Sequence, residues 1–268
     1  MAQQSAVESV ASSDVSQIIR ASIHIDIDTE PPPLSSETML AALVGTESRI
    51  REALNQHTFK RDVTLETIGA NGETTGQYIR NSQFLFDDRG NRIERVLYHP
   101  ASTIKQLKIT KEDIQDLAGA QLLGIDITEK AKYQLSYAGT EKFGSHYVFA
   151  FDVTPVQKPN PHRMRERYFV GRVWADAHNF QIVKVKGIVE PRGKQRFPVF
   201  ETLREPAALD LRFPTSTYAD DILHFPKFDV HYRITVRYYD YRRFASKLTI
   251  IEVGEPLTNS HSREAAPL

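Results

Sequence analysis

The sequence is dominated by short segments in which apolar and polar residues alternate, with turn-forming residues between the segments. In the first of them Val63 and Leu65 alternate with Thr64 and Glu66, and the hairpin dipeptide Asn71-Gly72 follows. Because successive side chains of a strand point to opposite faces of a sheet, this alternation predicts half-buried antiparallel strands. The pattern recurs along the chain and predicts about ten or eleven strands joined mostly by short turns.

Two segments follow the helical period instead. The first predicted helix begins near Ser35 or Ser36 and ends between Asn55 and His57. Its apolar stripe comprises Met39, Leu40, Leu43, Val44, Ile50, Ala53 and Leu54. The second predicted helix covers 109–126 and ends near Gly124. Both are amphipathic, so each must cover an apolar surface.

Many antiparallel strands with few helices predict a mainly β fold that also contains α-helix. We expect a large curled antiparallel sheet, an unclosed β-barrel of about 10–11 strands, covered by two or three helices. Such a shape encloses an apolar cleft between the sheet and its helical cover.

The domain organisation follows from the ends of this pattern. One domain is predicted over residues 35–255, between flexible segments at 1–34 and 256–268. The first residues lack both the basic and the apolar stretch of a signal peptide. We expect a mature chain whose signal peptide has been removed, located in the periplasm or secreted. No run of about 18 apolar residues exists, so no membrane-spanning helix is predicted.

Charge and motifs narrow the function classes. Lys plus Arg and Asp plus Glu number 34 each, so the chain lacks the basic excess of nucleic-acid-binding proteins and no nucleic-acid partner is predicted. The chain has no cysteine, no HExxH motif, no glycine-rich phosphate loop and no GxSxG elbow. These features predict a protein that is not an enzyme and needs no cofactor.

One alternative from the enzyme class stays open. Asp229 and His231 share one face of a predicted strand and His224 lies nearby, so the three could hold the metal of a hydrolase. The opposing interpretation is that they are surface positions of a strand whose other face, with Val230, is buried. The surface interpretation is favoured, and no metal site is predicted.

Several segments together resemble the outer-membrane lipoprotein-sorting family, which has the LolA/LolB-like fold. They are ITKEDIQDLAGAQLLGID (109–126), YQLSYAGTEKFGSHYVFAFDVTP (133–155), YFVGRVWADAHNFQIVKVKGIVEP (168–191), LRFPTSTYAD (211–220) and VHYRITVRYYDYRRF (230–244). The resemblance implies an unclosed antiparallel β-barrel with a helical lid, exported to the periplasm. It further implies a non-catalytic carrier or sensor that holds acyl chains of lipids or lipoproteins. Its other partner would be a membrane-associated donor or acceptor protein.

The candidate lipid-contacting residues combine this expectation with the apolar and aromatic pattern. On the helix side they are Leu40, Leu43, Val44 and Leu117, and on the sheet side Phe84, Phe86, Phe149, Phe151, Tyr168 and Trp174. A non-ligand-binding interaction module with a filled core remains the main alternative. Which face of each strand lines the cleft also stays open, because a one-residue shift of register exchanges the two faces.

Overall fold

The computed structural model describes residues 34–109, 132–144, 146–157, 168–190, 198–208 and 210–244. Within them a helix, α1 (Ser36–Asn55), precedes ten strands. The strands are β1 (His57–Ile68), β2 (Thr74–Phe86), β3 (Arg92–Tyr98), β4 (Tyr133–Phe143), β5 (His146–Pro155), β6 (Tyr168–Asp176), β7 (Ile182–Glu190), β8 (Phe200–Ala208), β9 (Leu211–His224) and β10 (Asp229–Arg243).

All ten strands belong to one sheet, in the order β3-β2-β1-β10-β9-β8-β7-β6-β5-β4. Every adjacent pair is antiparallel. Strands β3 and β4 stand at the two ends of this order and do not pair with each other, so within the described residues the sheet is not closed. The predicted unclosed antiparallel sheet of about ten strands is therefore confirmed.

The predicted helical cover is wrong in number for the described residues, which contain one helix where two or three were expected. The second predicted helix, at 109–126, lies outside the described residues from 110 onward. Helix α1 has 20 residues, and no helix in the described ranges is long and apolar enough to cross a membrane.

Both ends of α1 are held by polar contacts. Ser35 is the N-cap, and its hydroxyl accepts a hydrogen bond from the backbone N–H of Thr38 at 3.2 Å. The last turn of the helix contains no basic residue. Instead Arg92 of β3 donates to the backbone carbonyl of Leu54, and at 3.0 Å to that of His57. This guanidinium supplies the donor and the positive charge that the carboxyl end of a helix favours.

The core lies on one face of the sheet, called the inner face. It carries Phe59, Phe151 and Val173, and Met39 and Leu43 of α1 belong to the same buried cluster. Burial alternates residue by residue along β1, as expected for a strand with one covered face. The opposite face, called the outer face, carries the intervening residues.

A glycine pair gives β6 and β7 their close packing. Gly171 and Gly187 are opposite each other in the two strands. A Cβ atom on Gly171 would lie 2.7 Å from the ring of Phe169, and one on Gly187 would lie 2.6 Å from the same ring. The buried Phe169 ring therefore occupies space that any larger residue at these two positions would need.

Candidate functional site

The inner face carries a broad aromatic surface. Phe59 and Phe84 stack with their ring centroids 4.6 Å apart. At the other side of the sheet Tyr137 makes edge contacts with Phe149 and Phe151, at centroid distances of 6.2 and 5.9 Å. Rings in these arrangements form a cohesive apolar surface.

Part of this surface is not fully covered. Several hydrophobic side chains pack against the inner core and yet remain only partly buried, among them Phe84, Leu135, Tyr137, Tyr168 and Phe180. They form the margin of the core, where a further apolar group could pack without displacing the residues at its centre.

The helix-side candidates divide into three groups. Leu43 is fully buried and belongs to the inner core together with Met39. Leu40 and Val44 are half-buried and lie outside that cluster. Leu117 lies outside the described residues. The described part of the helix side therefore contributes Leu43 to the inner surface.

Three of the sheet-side candidates come together on the inner face. Phe149 and Phe151 are buried in its core, and Phe84 is partly buried against it. Tyr168 also contacts this cluster, but in β6 it alternates with the inner-face residue Phe169. Phe86 lies outside the cluster, beside the ring of Phe244 at 4.9 Å. The inner face thus unites candidates from β2 and β5 that are far apart in the sequence.

Trp174 is on the outer face, apart from the other candidates. It is opposite Ala150, whereas its neighbour Val173 is opposite Phe151 on the inner face. Trp174 is 1% exposed, and its indole N–H donates to Glu141 Oε2 at 2.7 Å. Its assignment to the inner wall is therefore corrected, because the observed register directs it to the other side of the sheet.

Sequence reasoning missed a charged pair that joins α1 to the sheet. Arg204 Nη1 of β8 donates to both carboxylate oxygens of Glu47, at 3.1 and 2.9 Å. The two side chains are 1% and 0% exposed. Burial raises the pKa of Glu47 above its ordinary value, and the Arg204 guanidinium opposes that shift. An ion pair buried this deeply fixes the position of the helix on the sheet.

A second missed residue is Arg61 on β1. It belongs to the inner-face register with Phe59 and Val63, and it is only 2% exposed. Its Nη2 donates to Glu94 Oε1 at 3.3 Å, and its Cζ lies 4.7 Å from the centroid of the Phe84 ring. The sequence offered a sign of it, since Arg61 interrupts the apolar alternation of Val63 and Leu65.

The residues of the hydrolase alternative form two separate pairs. His224 Nδ1 lies 2.9 Å from Asp229 Oδ1. His231 Nε2 lies 2.5 Å from Asp220 Oδ1, and Arg233 also donates to Asp220. Within the described residues no group of three or more His, Asp or Glu side chains could hold a metal ion. The predicted trio is thus divided between two carboxylates.

One cleft of about 640 Å³ lies at the end of the sheet where the β4–β5 turn approaches β8 and β9. Its walls include Phe143, His146 and Pro206, and the ion pair of Asp176 with Arg212 at 3.6 Å. None of the predicted lipid-contacting residues lines this cleft. It is therefore separate from the aromatic surface of the inner face.

No protein-family model matches the sequence, and no curated protein matches it either. Similar solved structures include an outer membrane lipoprotein-sorting protein domain from Vibrio parahaemolyticus, with 11% identity, coverage of 78% of this chain and 93% of that one, and a TM-score of 0.39. A LolA superfamily protein from Nitrosomonas europaea has 11% identity, coverage of 80% and 96%, and a TM-score of 0.35. A DUF1329 family protein from Desulfovibrio piger has 12% identity, coverage of 76% and 92%, and a TM-score of 0.36.

LolA superfamily and lipoprotein-sorting structures are thus among the solved structures to which this chain is similar. Identities of 11–12% and TM-scores of 0.35–0.39 are too low to transfer a function. The function is therefore inferred from the geometry of this chain.

Proposed function

We propose that this protein is a non-catalytic binder of acyl chains, which it holds against the aromatic inner face of its curled sheet. The observation that carries the proposal is the partly buried margin of the inner core, with Phe84 at one side and Leu135 and Tyr137 at the other. An acyl chain on this margin would exchange water contacts for contacts with rings.

The dimensions of the sheet and helix support this proposal. Ten strands spaced about 4.8 Å apart form a sheet roughly 48 Å wide along its curve. A helix of 20 residues is about 30 Å long and about 10 Å across. Among the described residues, α1 alone is therefore smaller than the inner face, and the apolar surface open to a ligand is the partly buried margin of the core.

The energetics favour a long chain. Each buried CH₂ group contributes about 0.8 kcal/mol, so a chain of about twelve carbons gains up to roughly 9 kcal/mol before costs. Lost translational freedom and the ordering of the chain remove much of that gain. With about 4 kcal/mol of such costs, roughly 5 kcal/mol remains, which corresponds to a Kd of about 0.2 mM for one chain. Release requires movement of the cover or a competing acceptor.

The second candidate function is that of an interaction module whose core is filled and which binds no ligand. The edge strand β3 favours this function. Ile93, Val96, Leu97 and Tyr98 are between 41% and 55% exposed on this short strand, whose outer edge pairs with no other described strand. An exposed apolar edge strand is a template for pairing with another chain. In this interpretation the buried Phe149 completes a closed core and no lipid binds.

The cellular setting belongs to the same proposal. We infer a periplasmic or secreted protein, acting as carrier or sensor, on the strength of the sequence segments that resemble the lipoprotein-sorting family. Its partners would be acylated molecules and a membrane-associated donor or acceptor protein.

Native mass spectrometry of the purified chain, with titration of a fluorescent fatty acid, tests the proposal. We expect co-purified lipid and saturable binding. Tyr137→Ala on the inner face should weaken binding about tenfold or more, from the apolar area removed. Tyr239→Ala on the outer face, where Tyr239 is 42% exposed, is the matched control and should bind normally. A lipid-free spectrum with no fatty-acid binding would refute the proposal and favour the filled module.

A further inference from the structure

The inner face carries one buried cation whose hydrogen bonds are incomplete. Arg61 lies opposite Ser82 of β2 and Tyr238 of β10, in the middle of the β2–β1–β10 part of the sheet. Its neighbours along β1 on this face are Phe59 and Val63, and both are buried. A guanidinium in this position has lost its water and needs protein or ligand acceptors.

The acceptors of the described residues satisfy one side of Arg61 only. Its Nη2 donates to Glu94, but its Nε and Nη1 atoms are buried and have no hydrogen-bond partner among the described residues. Those two nitrogens carry three of the five N–H groups of the side chain. The Phe84 ring lies 4.7 Å from Cζ, and its face attracts the positive charge of the guanidinium. This contact does not supply a hydrogen-bond acceptor for the N–H groups, which point outward in the plane of the guanidinium.

The charges of the cluster formed by Arg61, Arg80 and Glu94 do not balance either. Glu94 is already bound by Arg80, whose Nε and Nη2 donate to the two carboxylate oxygens at 3.0 Å each, and by the Ser82 hydroxyl at 2.6 Å. Arg61 reaches the same carboxylate at the longer distance of 3.3 Å. Two guanidinium groups therefore share one carboxylate, which leaves a net charge of +1 within this cluster.

The cluster has contact with solvent on one side. The side chains of Arg80 and Glu94 are 20% and 25% exposed, whereas that of Arg61 is 3% exposed. An anionic group could therefore approach from the β2–β3 edge and still meet Arg61 at the apolar surface. The Tyr238 hydroxyl is buried opposite Arg61, and burial raises the pKa of this tyrosine, so that it remains a neutral donor.

Resting on the proposed acyl-chain binding, we infer that Arg61 is the headgroup site: its Nη1 binds the oxyanion, a carboxylate or a phosphate, of an amphiphile whose chain lies on the aromatic inner face. A singly charged oxyanion would neutralise the cluster and accept the unmet N–H groups of Nη1, whereas the Nε–H group lies on the edge of the guanidinium that carries Nη2 and faces Glu94. The ligand class is thereby narrowed from any apolar chain to an anionic amphiphile.

The test compares amphiphiles that share one chain and differ in headgroup. Dodecanoate and dodecyl phosphate are titrated into the delipidated full chain beside dodecan-1-ol, by displacement of a fluorescent fatty acid at neutral pH. We expect the wild type to prefer at least one anion over the alcohol by about tenfold to a hundredfold, the range for charge-assisted hydrogen bonds. Arg61→Met keeps the apolar stem and should abolish this preference while alcohol binding persists.

The control variant is Arg237→Met, which removes an exposed arginine from the outer face of β10 and should retain the preference. Equal binding of anions and alcohol by the wild type would overturn the headgroup inference and leave acyl-chain binding intact, and this comparison holds even if Arg61→Met fails to fold. A preference that survives in Arg61→Met would overturn it as well. If inorganic phosphate binds and the alcohol does not bind at all, the headgroup inference is overturned, and the ligand of Arg61 is a free anion that carries no acyl chain. Failure of all three amphiphiles to bind refutes the proposed function itself.

Discussion

Replacement of Arg204 by Met removes the positive partner of a fully buried ion pair. Glu47 is 0% exposed, and both of its oxygens accept hydrogen bonds from Arg204. The variant would leave the carboxylate without its cation in an apolar setting. Breaking a buried pair in this way costs about 3–5 kcal/mol of unfolding free energy. For a domain of this size that corresponds to a fall in Tm of roughly 6–20 °C.

Replacement of both partners should behave differently. In Glu47→Met/Arg204→Met no charge is buried, and two flexible apolar side chains of similar length fill the space. We therefore expect the double variant to be within about 1 kcal/mol of the wild type or more stable than it. The buried Nε of Arg204 has no hydrogen-bond partner in the described part of the chain, and this adds to the cost that the double variant removes.

Urea denaturation followed by circular dichroism measures all four members of this double-mutant cycle. Lys60→Met provides the control, because Lys60 and Asp240 form an ion pair whose side chains are 33% and 23% exposed. Its loss should cost about 0–1 kcal/mol. The reasoning is refuted if Arg204→Met costs no more than Lys60→Met, or if the double variant is as unstable as the single variants.

Three further predictions address other parts of the fold. Trp174→Ala should cost about 3–5 kcal/mol of unfolding free energy and leave fatty-acid affinity unchanged, because the indole is buried on the outer face. Gly171→Ala should lower the free energy of unfolding, measured by urea denaturation, by about 1–3 kcal/mol, since its Cβ would lie 2.2 Å from the backbone oxygen of Lys186. Gly45→Ala, in open space on α1, should raise it by about 0.5–1 kcal/mol. On acidification below pH 4.5, the wild type should lose stability faster than Glu94→Gln in a series of urea denaturations.

The sign of the last prediction follows from the contacts of Glu94. Burial alone would raise its pKa, but the hydrogen bonds from Arg80 and Ser82 together with the positive charges of Arg61 and Arg80 outweigh burial and hold the pKa below its ordinary value of 4.5. A lowered pKa in the folded state contributes stability above pH 4.5, which is lost as the pH falls through the folded value. Parallel pH profiles for the two proteins would contradict this account.

The predictions for Trp174 and Gly171 each have an outcome that would contradict them. A weakened fatty-acid affinity in Trp174→Ala would return this residue to the ligand surface. A Gly171→Ala protein as stable as the wild type would mean that the backbone of β6 and β7 separates easily, contrary to the contacts around Phe169.

The sequence by itself determined the local structure. The Asn71-Gly72 dipeptide and the alternation of Val63 with Leu65 locate the first hairpin, because turn geometry and side-chain alternation depend on neighbouring residues only. The cap at Ser35 marks the start of α1 for the same reason. Short-range preferences of this kind are present in the chain before it folds.

Only the tertiary structure decided which strands adjoin and which face is inner. The last of the described strands, β10, lies between β1 and β9, a long-range pairing that no local pattern specifies. The register between β5 and β6 directs Trp174 outward and its neighbour Val173 inward, a choice that a shift of one residue would reverse. The ion pair of Glu47 with Arg204 and the unmet donors of Arg61 also depend on long-range contacts, because a charge is buried only when distant strands and the helix close around it.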